Sequence, residues 1–129
     1  MMAQPTKTTT LMNNLYTIVS REDNNGTPTF RIHLNAESPI YADHFPGQPI
    51  TPGACIIQTA LELTEKITGH TMEIREIKNV KFLHVLSPTE NPDVEFYFKS
   101  LETTADGTRA KIEVRNSSAT FTTISILCK

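Results

Sequence analysis

Apolar and polar positions alternate with a period of two along most of this chain, and they break that habit once. Residues 15–20 are rich in aromatic and β-branched types and read as a strand. After the turn signal Asn24-Asn25-Gly26, Phe30, Ile32 and Leu34 alternate with Arg31 and His33, so the second strand has one apolar and one polar face. The two make a hairpin. Residues 72–86 form a long strand-like segment: Met72 and Ile74 share a face, Ile77 takes the other, and Val80 and Phe82 return to the first. That slip near Lys78-Asn79 predicts a bulge or bend. Val94, Phe96 and Phe98 alternate with Glu95, Tyr97 and Lys99; Ala110, Ile112 and Val114 alternate with charged residues; residues 121–128 close the series.

The exception is a helical run. Ala54, Ile56, Ile57, Ala60, Leu61, Leu63 and Ile67 recur at helical spacing on nearly every side, from about Gly53 to Thr68, and Gly69 is a suitable stop. Its charges, Glu62, Glu65 and Lys66, all lie in the second half, so the first half is expected to be the more buried. The helix is entered through residues 44–53, which hold three prolines and two glycines, a stiff, turned loop and not a linker. Strand, strand, helix and then about four strands indicate an α+β fold with one helix packed on one face of an antiparallel sheet. Residues 1–12 are polar and Thr-rich and read as a disordered tail, leaving residues 13–129 as a single domain. So apolar a helix is not covered by one curved sheet alone, which predicts a dimer over the helix or along a sheet edge.

Composition narrows the function classes. The chain has 129 residues, 38% of them hydrophobic and 20% charged, enough for a core without metal or disulfides. A formal net charge of −2 with no basic run argues against nucleic acid and anionic membrane as partners. No apolar run reaches membrane-spanning length, the first residues carry no leader pattern, and Cys55 and Cys128 read as two reduced thiols; the expected location is cytoplasmic. Histidines at 33, 44, 70 and 84 have no ligand spacing, so no metal is expected.

The chemistry concentrates at the loop. A neutral imidazole at His44 can act as a base, and Gly53, nine residues on, places a backbone amide at the positive end of the helix. A base beside such a donor suits proton abstraction next to a thioester carbonyl, because the amide stabilises the enolate oxygen. The plainer alternative is a hydrogen-bonded structural histidine. His33, His70 and His84 read as solvated or structural residues, Asp43 as a group that orients His44, and Cys55 as a small core residue.

His44-Phe45-Pro46-Gly47, then Pro49, Pro52-Gly53 and the apolar helix, resembles the 3-hydroxyacyl-acyl-carrier-protein dehydratases of the hot-dog fold. Asn79-Val80-Lys81-Phe82 with Ser87-Pro88 resembles the strand after the helix in that family. The resemblance implies one long helix wrapped by a curved antiparallel sheet of five to seven strands, and homodimers, or higher homo-oligomers, paired edge to edge. It implies dehydration of a 3-hydroxyacyl thioester, carried on acyl carrier protein or coenzyme A, to a trans-2-enoyl thioester in acyl-chain biosynthesis, without a cofactor. His44 would be the general base and acid, and the Gly53 amide would hold the thioester oxygen. Phe45, Pro46, Gly47, Pro52 and Phe82 would lie around the substrate. Where the family has a catalytic Glu or Asp, five residues after the glycine, this chain has Gln58, which neither gives nor takes a proton near neutral pH. One helical turn later, where the family often carries Gln, stands Glu62. Either Glu62 replaces the missing acid, or Gln58 and Glu62 bond to each other and the chain is an acyl-thioester-binding or partner subunit. A hot-dog thioesterase, with Glu62 activating water, is a further alternative.

Overall fold

In a computed structural model of the chain, which describes residues 10–42 and 47–129, the period-two segments form six strands and the helical segment one long helix. The first hairpin pairs β1 (Tyr16–Asn24) with β2 (Thr27–Leu34). Asn25 and Gly26 both have positive φ, 53° and 86°, the backbone a two-residue hairpin turn requires. A short 3₁₀ turn, Pro39–Ala42, then leads toward the Pro/Gly loop. Helix α1 runs Gly53–Thr68, and Gly69 ends it in the left-handed conformation, its N–H bonded to the Glu65 carbonyl.

Strands β3 (Ile74–Phe82), β4 (Asp93–Thr104), β5 (Gly107–Arg115) and β6 (Thr120–Cys128) complete one antiparallel sheet of order β1-β2-β4-β5-β6-β3. The helix therefore carries the chain from the second position of the sheet to its far edge. Strict alternation buries Phe30, Ile32, Val94, Phe96, Phe98, Ile112, Val114, Ile124 and Ile126 on one face, in one core with Ile56, Ala60 and Leu63 of α1. Phe30 and Phe98 meet edge to face at 5.9 Å. The opposite face is solvated and laced by charge, with Glu95 reaching Arg31 and Arg115. The expected α+β, hot-dog arrangement is what the chain adopts.

Three expectations shift. The strand expected over 72–86 is paired only from Ile74 to Phe82, with register shifts at Ile74/Glu76 and at Ile77/Asn79, the second at the anticipated slip. Residues 83–86 leave the ladder because the segment bends toward the helix start, where the Leu86 carbonyl accepts the Thr51 N–H at 2.8 Å. The helix is most buried in its middle, from Thr59 to Thr64, and not in its first half: Ala54 is exposed and Ile57 half-buried. Apolar content misled there, because the first turns lie at the rim of the sheet. Finally, Leu11 and Met12, read as tail, are held to the helix: Leu11 is buried and both amides are hydrogen-bonded to Glu62.

Gly107 starts β5 at φ 131°, and a Cβ there would run into the Cys128 carbonyl. Gly107→Ala is expected to cost about 2–4 kcal/mol, since both the backbone region and the space demand glycine. Urea unfolding measures it, and a loss below about 0.5 kcal/mol would contradict this packing.

Candidate functional site

Two features of α1 matter, one at its start and one in its middle. Gly53 is the first helical residue, and its N–H has no hydrogen-bond partner among the described residues, whereas Cys55 and Ile56 already bond back to the Pro52 carbonyl. Among the described residues it is thus a donor without an acceptor at the positive end of the helix. Phe82, at the end of β3, lies against it: a Cβ on Gly53 would sit 2.7 Å from the Phe82 ring. A side chain at position 53 would push that ring off the helix start. Together with Ile50, Thr51, Ile56 and the 83–86 segment they line a groove of about 520 Å³. The groove is anchored by a buried hydrogen bond of 2.8 Å between the Tyr41 and Thr51 hydroxyls, which ties the chain before the Pro/Gly loop to the chain after it.

The second feature is the carboxylate of Glu62, 5% exposed. Its Oε2 accepts the Leu11 N–H at 2.8 Å and Gln58 Nε2 at 3.0 Å; its Oε1 accepts the Met12 N–H at 3.0 Å and the Tyr16 hydroxyl at 2.9 Å. Four donors match the roughly four acceptor sites of an ionised carboxylate. Burial, with Glu62 as both neighbouring charge and hydrogen-bond acceptor, pushes the Tyr16 phenol far above its ordinary range. Gln58 and Glu62 line a separate cleft of about 880 Å³ with Thr10, Met12, Leu61 and Lys66, bounded beyond the helix by Met72 and Ile74.

Within one chain, then, the structure brings Gly53 together with Phe82 and Pro52, and Gln58 together with Glu62, but in two different grooves. Gly47 lies at a third place, near Tyr41 and Pro49. His44, Phe45 and Pro46, with Asp43, fall outside the described residues. His33 is exposed and 2.9 Å from Asp93, and His70 is exposed past the helix. His84 is exposed too, packed edgewise on Phe121, and it lines the Gly53 groove. Among the described residues no cluster of His, Cys, Asp and Glu is arranged to hold a metal. Burial raises the Cys55 thiol, and burial with Glu65 nearby pushes Cys128 up to about 11, so neither is an activated nucleophile. Tyr16, Tyr41, Thr51 and Leu86 were not singled out from the sequence. Their roles come from contacts across 10 to 46 positions, which no local pattern encodes.

Residues 20–122 match the ApeI-like family, described as ApeI dehydratase. A 3-hydroxyacyl-[acyl-carrier-protein] dehydratase FabZ of Wolbachia pipientis wMel is 30% identical over 63 residues, which cover 43% of this chain and 44% of that protein. The chain thus spans less than half the length of that curated relative. Among solved structures, the dehydratase heterocomplex ApeI:P from Xenorhabdus doucetiae aligns with a TM-score of 0.63 at 17% identity, over 86% of this chain and 95% of that one. An uncharacterised protein from Erwinia carotovora subsp. atroseptica aligns at 0.60 and 15% identity, over 85% and 90%. At these identities the structural likenesses establish the hot-dog fold.

The Tyr16–Glu62 contact has a pH signature. An unfolded tyrosine ionises near pH 10, whereas folded Tyr16 keeps its proton beyond that. Above about pH 10 only the unfolded chain releases this proton, so the stabilisation is complete below that pH and is lost as pH rises, at about 1.4 kcal/mol per unit. Unfolding at pH 9, 10 and 11 should give a steeper fall for the native chain than for Tyr16→Phe; parallel slopes would refute the contact.

Proposed function

The chain belongs to the ApeI-like dehydratase family, and from that premise we propose that it dehydrates a 3-hydroxyacyl thioester to the trans-2-enoyl thioester in acyl-chain biosynthesis. The observation that carries the reading is the Gly53 amide, without a partner among the described residues, in a groove walled by Phe82 and nine positions after His44 in sequence. The thioester oxygen accepts from that amide, which stabilises the charge arriving as the α-proton leaves. His44 takes the α-proton; the α,β double bond forms as the bond from the β-carbon to its hydroxyl breaks; the hydroxyl leaves as water with the proton that His44, now the acid, returns to it. The FabZ relative's name supports an acyl carrier protein as carrier. The exposed Arg75, Lys78 and Lys81 of β3, with Glu76 3.7 Å from Lys78, would give an acidic carrier three cations to meet.

Assembly completes the site in this reading. Among the described residues strand β3 pairs only with β6, and its outer edge has no partner strand. Ile77, Phe82, Leu83 and Val85 on and just after it are 50–61% exposed. A long apolar edge strand calls for a partner strand. A second hot-dog subunit there would carry its own helix residue 58 toward the first subunit's groove; a homodimer is the simplest form. One observation favours a second reading: Glu62 spends its carboxylate on four donors and Gln58 has none to offer, so neither position 58 nor position 62 supplies a free acid. In that reading a non-identical partner brings the carboxylate, as the name of the Xenorhabdus heterocomplex makes plausible. The same four bonds count against a thioesterase that needs Glu62 to activate water.

Purified protein is expected to sediment as two chains and to hydrate a short trans-2-enoyl thioester, with His44→Ala lowering turnover by at least about 10²-fold. A folded dimer without turnover would overturn the homodimeric enzyme and favour the partner-subunit reading.

A further inference from the structure

We propose that Glu62 is a positioning residue whose bond to Gln58 fixes the side-chain amide of Gln58, so that the cleft is presented with a hydrogen-bond acceptor, Gln58 Oε1. This deepens the function proposed above: the group that Gln58 would meet is the 3-hydroxyl of the acyl thioester, which would donate to it.

A carboxylate only accepts, so the end of the Gln58 amide that lies 3.0 Å from Glu62 Oε2 is its NH₂, and the carbonyl oxygen is directed elsewhere. Gln58 and Glu62 are four residues apart on the helix and share a face, so the contact needs no rearrangement. Among the described residues Gln58 Oε1 meets no donor, and Gln58 lines the cleft. An unlocked glutamine turns either end outward; this one does not. Glu62 is itself held from three other directions, by Leu11, Met12 and Tyr16, so it cannot swing away from the amide. The segment that precedes β1 is therefore part of the positioning device. Leu11 packs into the core while its amide and that of Met12 close two of the carboxylate's acceptor sites. An acceptor at this point can orient a substrate hydroxyl but cannot protonate it, so the proton that leaves with water must come from another group.

The direct test is the side-chain NH₂ of Gln58 in ¹⁵N–¹H spectra of the full chain, assigned by its loss in Gln58→Leu. One of its two protons is expected downfield of free glutamine and slowed in exchange, and both effects should vanish in Glu62→Gln, where Gln58 is free to turn. Free-glutamine shifts and exchange in the native chain would overturn the lock, and this reading does not depend on Glu62→Gln folding. Kinetics separate positioning from acid catalysis. Glu62→Gln should lower kcat/KM by about tenfold, the worth of one hydrogen bond, with the pH–rate profile unchanged. Loss of one limb of that profile with a drop of about 10²–10⁴ would instead make Glu62 the acid and overturn the proposal. If the native chain has no turnover, the dehydratase reading fails while the spectra still decide the lock.

Discussion

A single buried carboxylate joins three parts of this molecule. Glu62 sits mid-helix at 5% exposure, and it is tolerated there only because its four partners replace the water it has lost. Those partners come from the segment before β1, from β1 itself and from the preceding helical turn. The start of the sheet is thereby fastened to the helix by polar bonds, beside the apolar contacts that Leu11 and Leu15 add to the core. Remove the carboxylate, and two backbone amides and a phenol lose their partner together, at about 1–3 kcal/mol for each donor left buried.

The opposite end of the helix is arranged by different means. There the chain needs a free donor and not a satisfied one. Glycine at position 53 admits the Phe82 ring, Thr51 is tied to Leu86 and to Tyr41, and the amide has no partner among the described residues. The helix thus has an electropositive, open entrance and a closed, fully bonded middle. In the proposed dehydration, groups from both grooves meet the same substrate, which one chain does not achieve and which the proposed pairing of two chains at β3 would allow.

Much of the fold was legible because alternation is a strong signal: Phe30-Ile32-Leu34, Val94-Phe96-Phe98 and Ala110-Ile112-Val114 each bury the face that the sequence assigns to them. Asn25-Gly26 and Gly69 were legible for the same reason, since few residues accept their backbone. What was not legible is long-range. Glu62 reads from the sequence as a stand-in acid or as the hydrogen-bond partner of Gln58, and nothing local reveals that Leu11, Met12 and Tyr16 converge on it as well. Burial along the helix was misjudged because composition does not say which turns lie beneath the sheet. The site was half legible: the Pro/Gly loop and Gly53 come from a motif, whereas the lining residues Thr51, His84 and Leu86 follow from the bend after β3.

The central claim is that Gln58 cannot do acid–base work and that Glu62, occupied by its four donors, does not do it instead. Exchanging the two residues in Gln58→Glu/Glu62→Gln puts a carboxylate one turn nearer the helix start, with an amide behind it. Hydration of a trans-2-enoyl thioester by the exchanged protein, compared with the native chain at equal folded fraction, tests this most directly. The account predicts a gain of about 10²-fold or more, the usual worth of one added acid–base group. Unchanged or reduced turnover in the folded, exchanged dimer would contradict it.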